Sequence, residues 1–247
     1  VITWLTPDWP APAPVRALST LRQGGVSEGP CASLNLGTHV GDSPAAVADN
    51  RRALRAAAAL PAEPRWLDQV HGSRVRDLDR EVDGPADAAV TRQAGRVCAI
   101  LTADCLPVLL AAEDGDRVAA AHAGWRGLAA GVIEATVRAL GTAPGELMAW
   151  LGPCIGPQHF EIGAEVRAAL LAADGAADES IRPNARGRFM ADLPGLARSR
   201  LRRLGIRRVY GSGECTYAQA DRYFSHRRDG RTGRQATLIW LEPPSAR

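Results

Sequence analysis

Ala103-Asp104-Cys105-Leu106-Pro107-Val108-Leu109-Leu110-Ala111-Ala112-Glu113-Asp114-Gly115-Asp116-Arg117-Val118-Ala119-Ala120-Ala121-His122-Ala123-Gly124-Trp125-Arg126-Gly127 is two apolar arms around an acidic turn. Pro107 to Ala112 reads as an extended strand and Arg117 to His122 as its return. The Glu113-Asp114-Gly115-Asp116 stretch between them is a hairpin signal. With Asp114 and Gly115 as the loop, Cys105 faces Gly124 and His122 faces Pro107. Cys105 and His122 are then diagonal neighbours on one face, their backbones roughly 7–8 Å apart. A slip of one residue would put them on opposite faces. Pro107 cannot donate a ladder bond, which makes a bulge the competing outcome.

A thiol and an imidazole on one face gain a third partner in His71, within Gln69-Val70-His71-Gly72. Two imidazoles and one thiolate make a ligand set for zinc, with bonds of about 2.0–2.3 Å. Three protein ligands leave a fourth position open, the mark of a catalytic rather than a structural metal site. The small neighbours Gly72, Ala121, Ala123 and Gly124 allow close backbone approach. The same residues also suit a Cys–His hydrolase, with Cys105 as nucleophile and His122 as its base. The plain alternative is a buried cysteine acting as a small hydrophobe. Asp104 ends an apolar run as either a proton shuttle or a residue that orients a ligand.

Further out, Val15 to Thr20, Val97 to Thr102, Leu147 to Leu151, Val209 to Gly213 and Ala236 to Leu241 read as strands. Arg65 to Asp79 reads as strand and turn around His71-Gly72. Ser43-Pro44 is a cap and first-turn pair that opens a helix to about Leu60. Val47, Leu54 and Ala58 mark its apolar stripe, and Asn50 and Arg51 fall on that stripe. Two inward polar groups need partners; Arg51 is either a site residue or a stem lying on the core. Leu128 to Leu140, Ile162 to Ala172 and Leu193 to Leu204 read as helices. Strands and helices mix without a βαβ rhythm. The expected class is α+β: a single domain over residues 1–247, with a mixed, mostly antiparallel sheet packed by helices.

With 247 residues, 46% apolar and 23% charged, the chain can bury a full core. No stretch reaches the roughly 18 apolar residues of a membrane helix. Val1 to Pro14 lacks the basic and apolar regions of a secretory signal. Five cysteines in unlike surroundings argue for a reducing compartment, so the expected location is cytoplasmic. All 30 basic residues are arginine, and the net charge of +3 is too small to imply a nucleic-acid partner. The basic segment Arg198 to Arg208 reads as a solvated helix face, with an RNA- or partner-binding surface as the alternative.

Eight motifs extend the pattern. They are Ser33-Leu34-Asn35-Leu36-Gly37, His39-Val40-Gly41-Asp42, Asn50-Arg51, Gln69-Val70-His71-Gly72, Ala103-Asp104-Cys105-Leu106-Pro107-Val108, Ala121-His122-Ala123-Gly124-Trp125-Arg126-Gly127, Leu151-Gly152-Pro153-Cys154-Ile155-Gly156-Pro157 and Phe224-Ser225-His226-Arg227-Arg228-Asp229-Gly230. In this order they resemble the YfiH family from roughly Val15 to Leu241. Its members carry the names multicopper polyphenol oxidase, laccase-domain protein and purine nucleoside phosphorylase. The resemblance implies a single-domain fold of the kind also seen in a bacterial toxin deamidase with a Cys–His pair. It implies zinc on His71, Cys105 and His122. It implies phosphorolysis of adenosine and inosine, with adenosine deamination and methylthioadenosine cleavage as side activities. A copper polyphenol oxidase and an amidase of peptidoglycan precursors are the other activities attached to the family.

Chemistry ranks these readings. A type 1 copper plus a trinuclear cluster consumes about ten histidines, and copper–oxygen chemistry prefers imidazole. This chain has five histidines, so only a single copper in place of zinc remains open. Phosphorolysis needs an anion site. Arg126 and Gly127, ahead of a helix expected from Leu128, are one candidate. Arg51, Asn50, Arg227 and Arg234 are others, and Asn35 joins them through its motif. His39 and His226 are candidates for ribose or base, with Trp125 as an aromatic wall. Asp104, Cys105 and Arg126 are the candidate catalytic residues. The expected partners are a purine nucleoside and phosphate, without nucleic acid or membrane, in a monomer or small homo-oligomer. Cys154 and Cys215 have no ligand spacing and either line the pocket or pack.

Overall fold

Nearly every residue of Val97–Thr102, Leu106–Ala112 and Val118–Ala123 is apolar, a pattern that requires cover on both faces of a strand. All three strands are buried at every position. The structure, a computed structural model, describes residues 1–80 and 84–243. In chain order it runs β1 (Trp4–Leu5), β2 (Val15–Thr20), α1 (Pro44–Ala57), β3 (Val75–Asp77), β4 (Ala88–Thr91), β5 (Val97–Thr102), β6 (Leu106–Ala112) and β7 (Val118–Ala123). Then follow α2 (Trp125–Ala129), α3 (Val132–Leu140), β8 (Leu147–Leu151), β9 (Glu161–Ile162), α4 (Ala164–Ala173), β10 (Ile181–Pro183) and β11 (Phe189–Ala191). α5 (Leu193–Arg203), β12 (Arg208–Gly211), α6 (His226–Asp229) and β13 (Gln235–Leu241) complete it.

The class is α+β with mixed sheets. A four-stranded antiparallel sheet has the order β1-β2-β13-β5. A six-stranded sheet has the order β12-β8-β6-β7-β4-β3, with parallel pairs at its two edges. The alternation of side chains sorts the core into layers. Leu109, Ala111, Val118, Ala120 and Trp150 of the larger sheet meet Cys98, Ile100 and Ile239 of the smaller. On its far face Val108, Leu110, Ala119 and Ala121 meet Leu128, Ile133 and Leu196 of the helices. Leu54 of α1 covers the outer face of the smaller sheet with Leu18, Ala99 and Leu238. Among the described residues no helix is long and apolar enough to cross a membrane.

Several element boundaries differ from the sequence reading. The helix expected over Leu128 to Leu140 starts at Trp125 and breaks into α2 and α3. Gly131 between them has φ +80, a left-handed conformation open to glycine that interrupts the helical ladder. The helix expected from Ile162 starts at Ala164, because Glu161–Ile162 pairs with β11. Most of the stretch from Arg65 to Asp79 is loop, with only Val75–Asp77 in a strand. Ser43 caps α1 as expected, accepting from Ala46 N at 3.5 Å.

Candidate metal centre

The hairpin register matches the sequence reading. Leu106 pairs with Ala123 and Pro107 with His122, without a bulge. Cys105 and His122 therefore share one face, at the rim of the gap between the two sheets. His71 reaches the same rim from the loop before β3. Cys105 Sγ lies 3.9 Å from His71 Nε2, and the His71 and His122 ring centroids are 4.7 Å apart. The three ligand atoms all lie within 4.8 Å of one another. Tetrahedral bonds of about 2.0–2.3 Å require ligand atoms roughly 3.3–3.8 Å apart, so small side-chain rotations close the set around a cation. Among the described residues this is the group of His, Cys and acidic side chains able to hold a metal ion.

One carboxylate absent from the sequence reading holds both imidazoles in place. Asp87, fully buried, continues β4 beside His122, whose backbone N donates to Asp87 O at 2.7 Å. Its Oδ1 lies 2.9 Å from His122 Nδ1, which leaves Nε2 free as the ligand atom. The same carboxylate accepts from Val70 N at 3.2 Å, His71 N at 2.8 Å and Gly72 N at 2.7 Å. His71 adopts φ +61 there, a left-handed conformation uncommon outside glycine. Three N–H bonds to a buried anion stabilise a turn that the local sequence disfavours. Gln69 clips the loop to β5, donating to Leu101 O at 2.9 Å and accepting from Leu101 N at 2.8 Å. The available sequence signal was an aspartate leading into the apolar run Ala88-Ala89-Val90.

Electrostatics follow from this packing. Burial pushes the Cys105 thiol up, but the His122 and His71 imidazoles outweigh it and bring its pKa to about 6. Burial pushes His122 down, but the Cys105 thiolate and Asp87 raise it to about 9. Burial pushes Asp87 up, yet His122 and the Gly72 and Val70 N–H groups hold it below the ordinary carboxylate value. A thiolate at neutral pH suits both a metal ligand and a nucleophile.

The multi-copper polyphenol oxidoreductase laccase family matches residues 16–242. The chain belongs to this laccase-domain family. A Pseudomonas aeruginosa protein named purine nucleoside phosphorylase is 55% identical over 240 residues, 97% of this chain and 98% of its own. An Escherichia coli protein named purine nucleoside phosphorylase YfiH is 48% identical over 239 residues, 96% and 98% of the two chains. The crystal structure of a Neisseria meningitidis protein matches with a TM-score of 0.92 at 47% identity, covering 97% and 99%.

The remaining laccase-domain motifs divide between scaffold and rim. Asn35 and Asn50 are buried and their amides are fully engaged. Asn50 donates to Ser27, Ser33 and Asn35 and accepts from Val26 N; Asn35 bonds Gly37, Asp42 and Arg234 N. These two residues tie the 25–42 loop to α1 and offer no free group to a ligand. Arg51 donates through Nε and Nη2 to Leu36 O and lies 4.2 Å over the Trp66 ring. His39 is exposed at the rim; desolvation and the nearby Arg234 charge lower its pKa, with His71 adding to the push.

Asp104, at φ +97, accepts from Thr216 Oγ1 at 2.7 Å and from Arg227 N at 2.6 Å. That pattern pins two distant loops beside Cys105. Arg227 donates to Glu161 O at 2.8 Å, and His226 Nδ1 lies 2.6 Å from Gly230 O. Arg126 is exposed and stacks on Trp125 at 4.3 Å, inside a five-residue helix rather than ahead of a long one. Cys154 and Cys215 face each other across a β-bridge, apart from the trio. In the basic segment Arg198 donates to Val209 O at 2.7 Å, and Arg200, Arg203 and Arg208 pair with Glu134, Asp174 and Glu113.

Proposed function

We propose that this chain is a zinc-dependent purine nucleoside phosphorylase, converting adenosine or inosine and phosphate to free base and ribose 1-phosphate in the cytoplasm. The observation that carries the reading is the His71–Cys105–His122 trio, oriented by one buried aspartate, in a family whose relatives bear that name. The donor set fits zinc: two imidazole nitrogens, one thiolate and an open position. Zinc held there supplies a Lewis acid at that position. Asp87 keeps His122 in the tautomer whose Nε2 faces the trio, and Gln69 holds the His71 loop against β5. Asp104 orients the loops that carry Thr216 and Arg227 at the rim. The residues do not fit a multicopper site. His159 stacks on Tyr217, His226 bonds Gly230 O and only two imidazoles reach the trio.

The test incubates zinc-loaded protein with adenosine, inosine and methylthioadenosine, with and without phosphate. Chromatography should show base and ribose 1-phosphate that depend on phosphate. Inosine formed from adenosine in phosphate-free buffer would add the deaminase side activity. Release of free base that ignores phosphate, or no turnover with any nucleoside, overturns the reading.

One observation favours a second reading. Cys105, His122 and Asp87 form a thiolate–imidazole–carboxylate series, which serves a Cys–His amidohydrolase. That enzyme would keep its activity in a chelator and lose it in Cys105→Ser.

A further inference from the structure

A phosphorylase must hold a phosphate dianion beside the reacting sugar, and four arginines are near enough in sequence motif to be considered. Three are engaged or solvated. The Nε and Nη2 edge of Arg51 holds Leu36 O. Arg227 reaches Glu161 O and lies 5.4 Å over Phe160. Arg126 is exposed on Trp125.

Arg234 differs in each respect. Gln235 pairs with Thr102, so the register seats Arg234 beside Ala103, immediately before Asp104 and Cys105. Its stem lies against Gly37, where an added Cβ would come 2.8 Å from Arg234 Cγ. Its Nη1 donates to Thr232 O and Gly233 O, both at 3.0 Å, which aims the guanidinium. Among the described residues Nε and Nη2 have no hydrogen-bond partner, no carboxylate pairs with the group, and neither nitrogen is sealed from solvent. Burial lowers its pKa, and the charges it meets are those of Cys105, Asp104 and Cys31. A half-buried cation with no carboxylate in contact is costly to keep. The Nε/Nη2 edge is also the fork that grips two oxygens of a tetrahedral anion.

We infer that Arg234 is the phosphate seat of this site, gripping the attacking phosphate, and then the phosphoryl group of the sugar phosphate, through its Nε/Nη2 edge. His39 borders the same seat, since the Cβ added at Gly37 would also come 3.5 Å from His39 Cε1. The inference rests on the phosphorolysis reading for its substrate, but its test does not. Binding of inorganic phosphate to the zinc-loaded protein is measured by calorimetry at constant ionic strength for wild type, Arg234→Gln, Arg234→Lys and the exposed control Arg202→Gln. Phosphate and inosine KM values and zinc content are measured alongside.

Arg234→Gln should weaken phosphate at least about tenfold in Kd and in phosphate KM, the loss expected for a charge-assisted pair. Zinc content should stay at the wild-type level. Arg234→Lys should fall between, since it keeps the charge and loses the fork. Gly37→Ala, which displaces the Arg234 stem without changing charge, should raise phosphate KM more than inosine KM. Equal phosphate affinity in wild type and Arg234→Gln overturns the seat, as does the absence of phosphate binding to wild type. Arginine-dependent phosphate binding without nucleoside turnover overturns the phosphorylase reading and leaves the seat standing.

Discussion

Asp87 concentrates the physics of the site in one side chain. A carboxylate with four donors around it orients His122 through Nδ1 and holds His71 through three backbone N–H groups. Asp87→Asn keeps the size but turns one acceptor into a donor that faces N–H groups. Zinc affinity, measured by competition with a chromophoric chelator, should drop about 10–100-fold. The pH dependence follows from the depressed Asp87 pKa. Such a group stabilises the fold above the unfolded carboxylate value near about 3.9, and the contribution is lost as pH falls through the lower folded value. In urea unfolding of the zinc-free proteins, the gap between wild type and Asp87→Asn should therefore be wide at neutral pH and close below about pH 4. A constant gap at all pH values would show that the loss is one of packing alone.

At the scale of elements, the β6–β7 hairpin and the turn into α2 set how close the ligands can approach. Gly124 follows β7 and caps α2; a Cβ there would sit 2.8 Å from Cys105 Sγ and 3.4 Å from His71 Cδ2. Gly124→Ala should therefore reduce zinc occupancy by elemental analysis while the far-ultraviolet circular dichroism spectrum is unchanged. Gly127 has the same function one turn on, where a Cβ would come 2.9 Å from His122 O. The small residues around the two ligands are thus a steric requirement of the site. The hairpin register was legible in sequence because the Asp114-Gly115 turn and the side-chain period leave one pairing that buries both arms. The break at Gly131 was not, because an apolar period continues across it and glycine is tolerated within helices.

For the molecule as a whole, the trio joins a loop before β3, the end of β7 and the start of β6 at one rim of a two-sheet core. A cation bound by the trio would cross-link these segments in the native state and not in the unfolded chain. Saturating zinc should raise the melting temperature, since ligand at about a thousand times its Kd adds about 4.1 kcal/mol. His71→Ala should abolish that difference and cut bound metal sharply in elemental analysis; a variant that keeps its zinc would remove His71 from the ligand set. Local patterns in the chain determined the hairpin and its register, the α+β class, the capped start of α1 and the donor chemistry of His71, Cys105 and His122. They depend on turn chemistry, on periods of two and 3.6 residues, and on side-chain identity, all of which act over a few residues. Only the tertiary structure decided that Asp87 serves both imidazoles, that Asn35 and Asn50 hold a loop, and that Arg234 keeps an open Nε/Nη2 edge while Arg51 and Arg227 are engaged. Those outcomes depend on which distant strands meet, as Gln235 meets Thr102, and on whether a polar side chain finds its partner inside the protein or remains open at the rim.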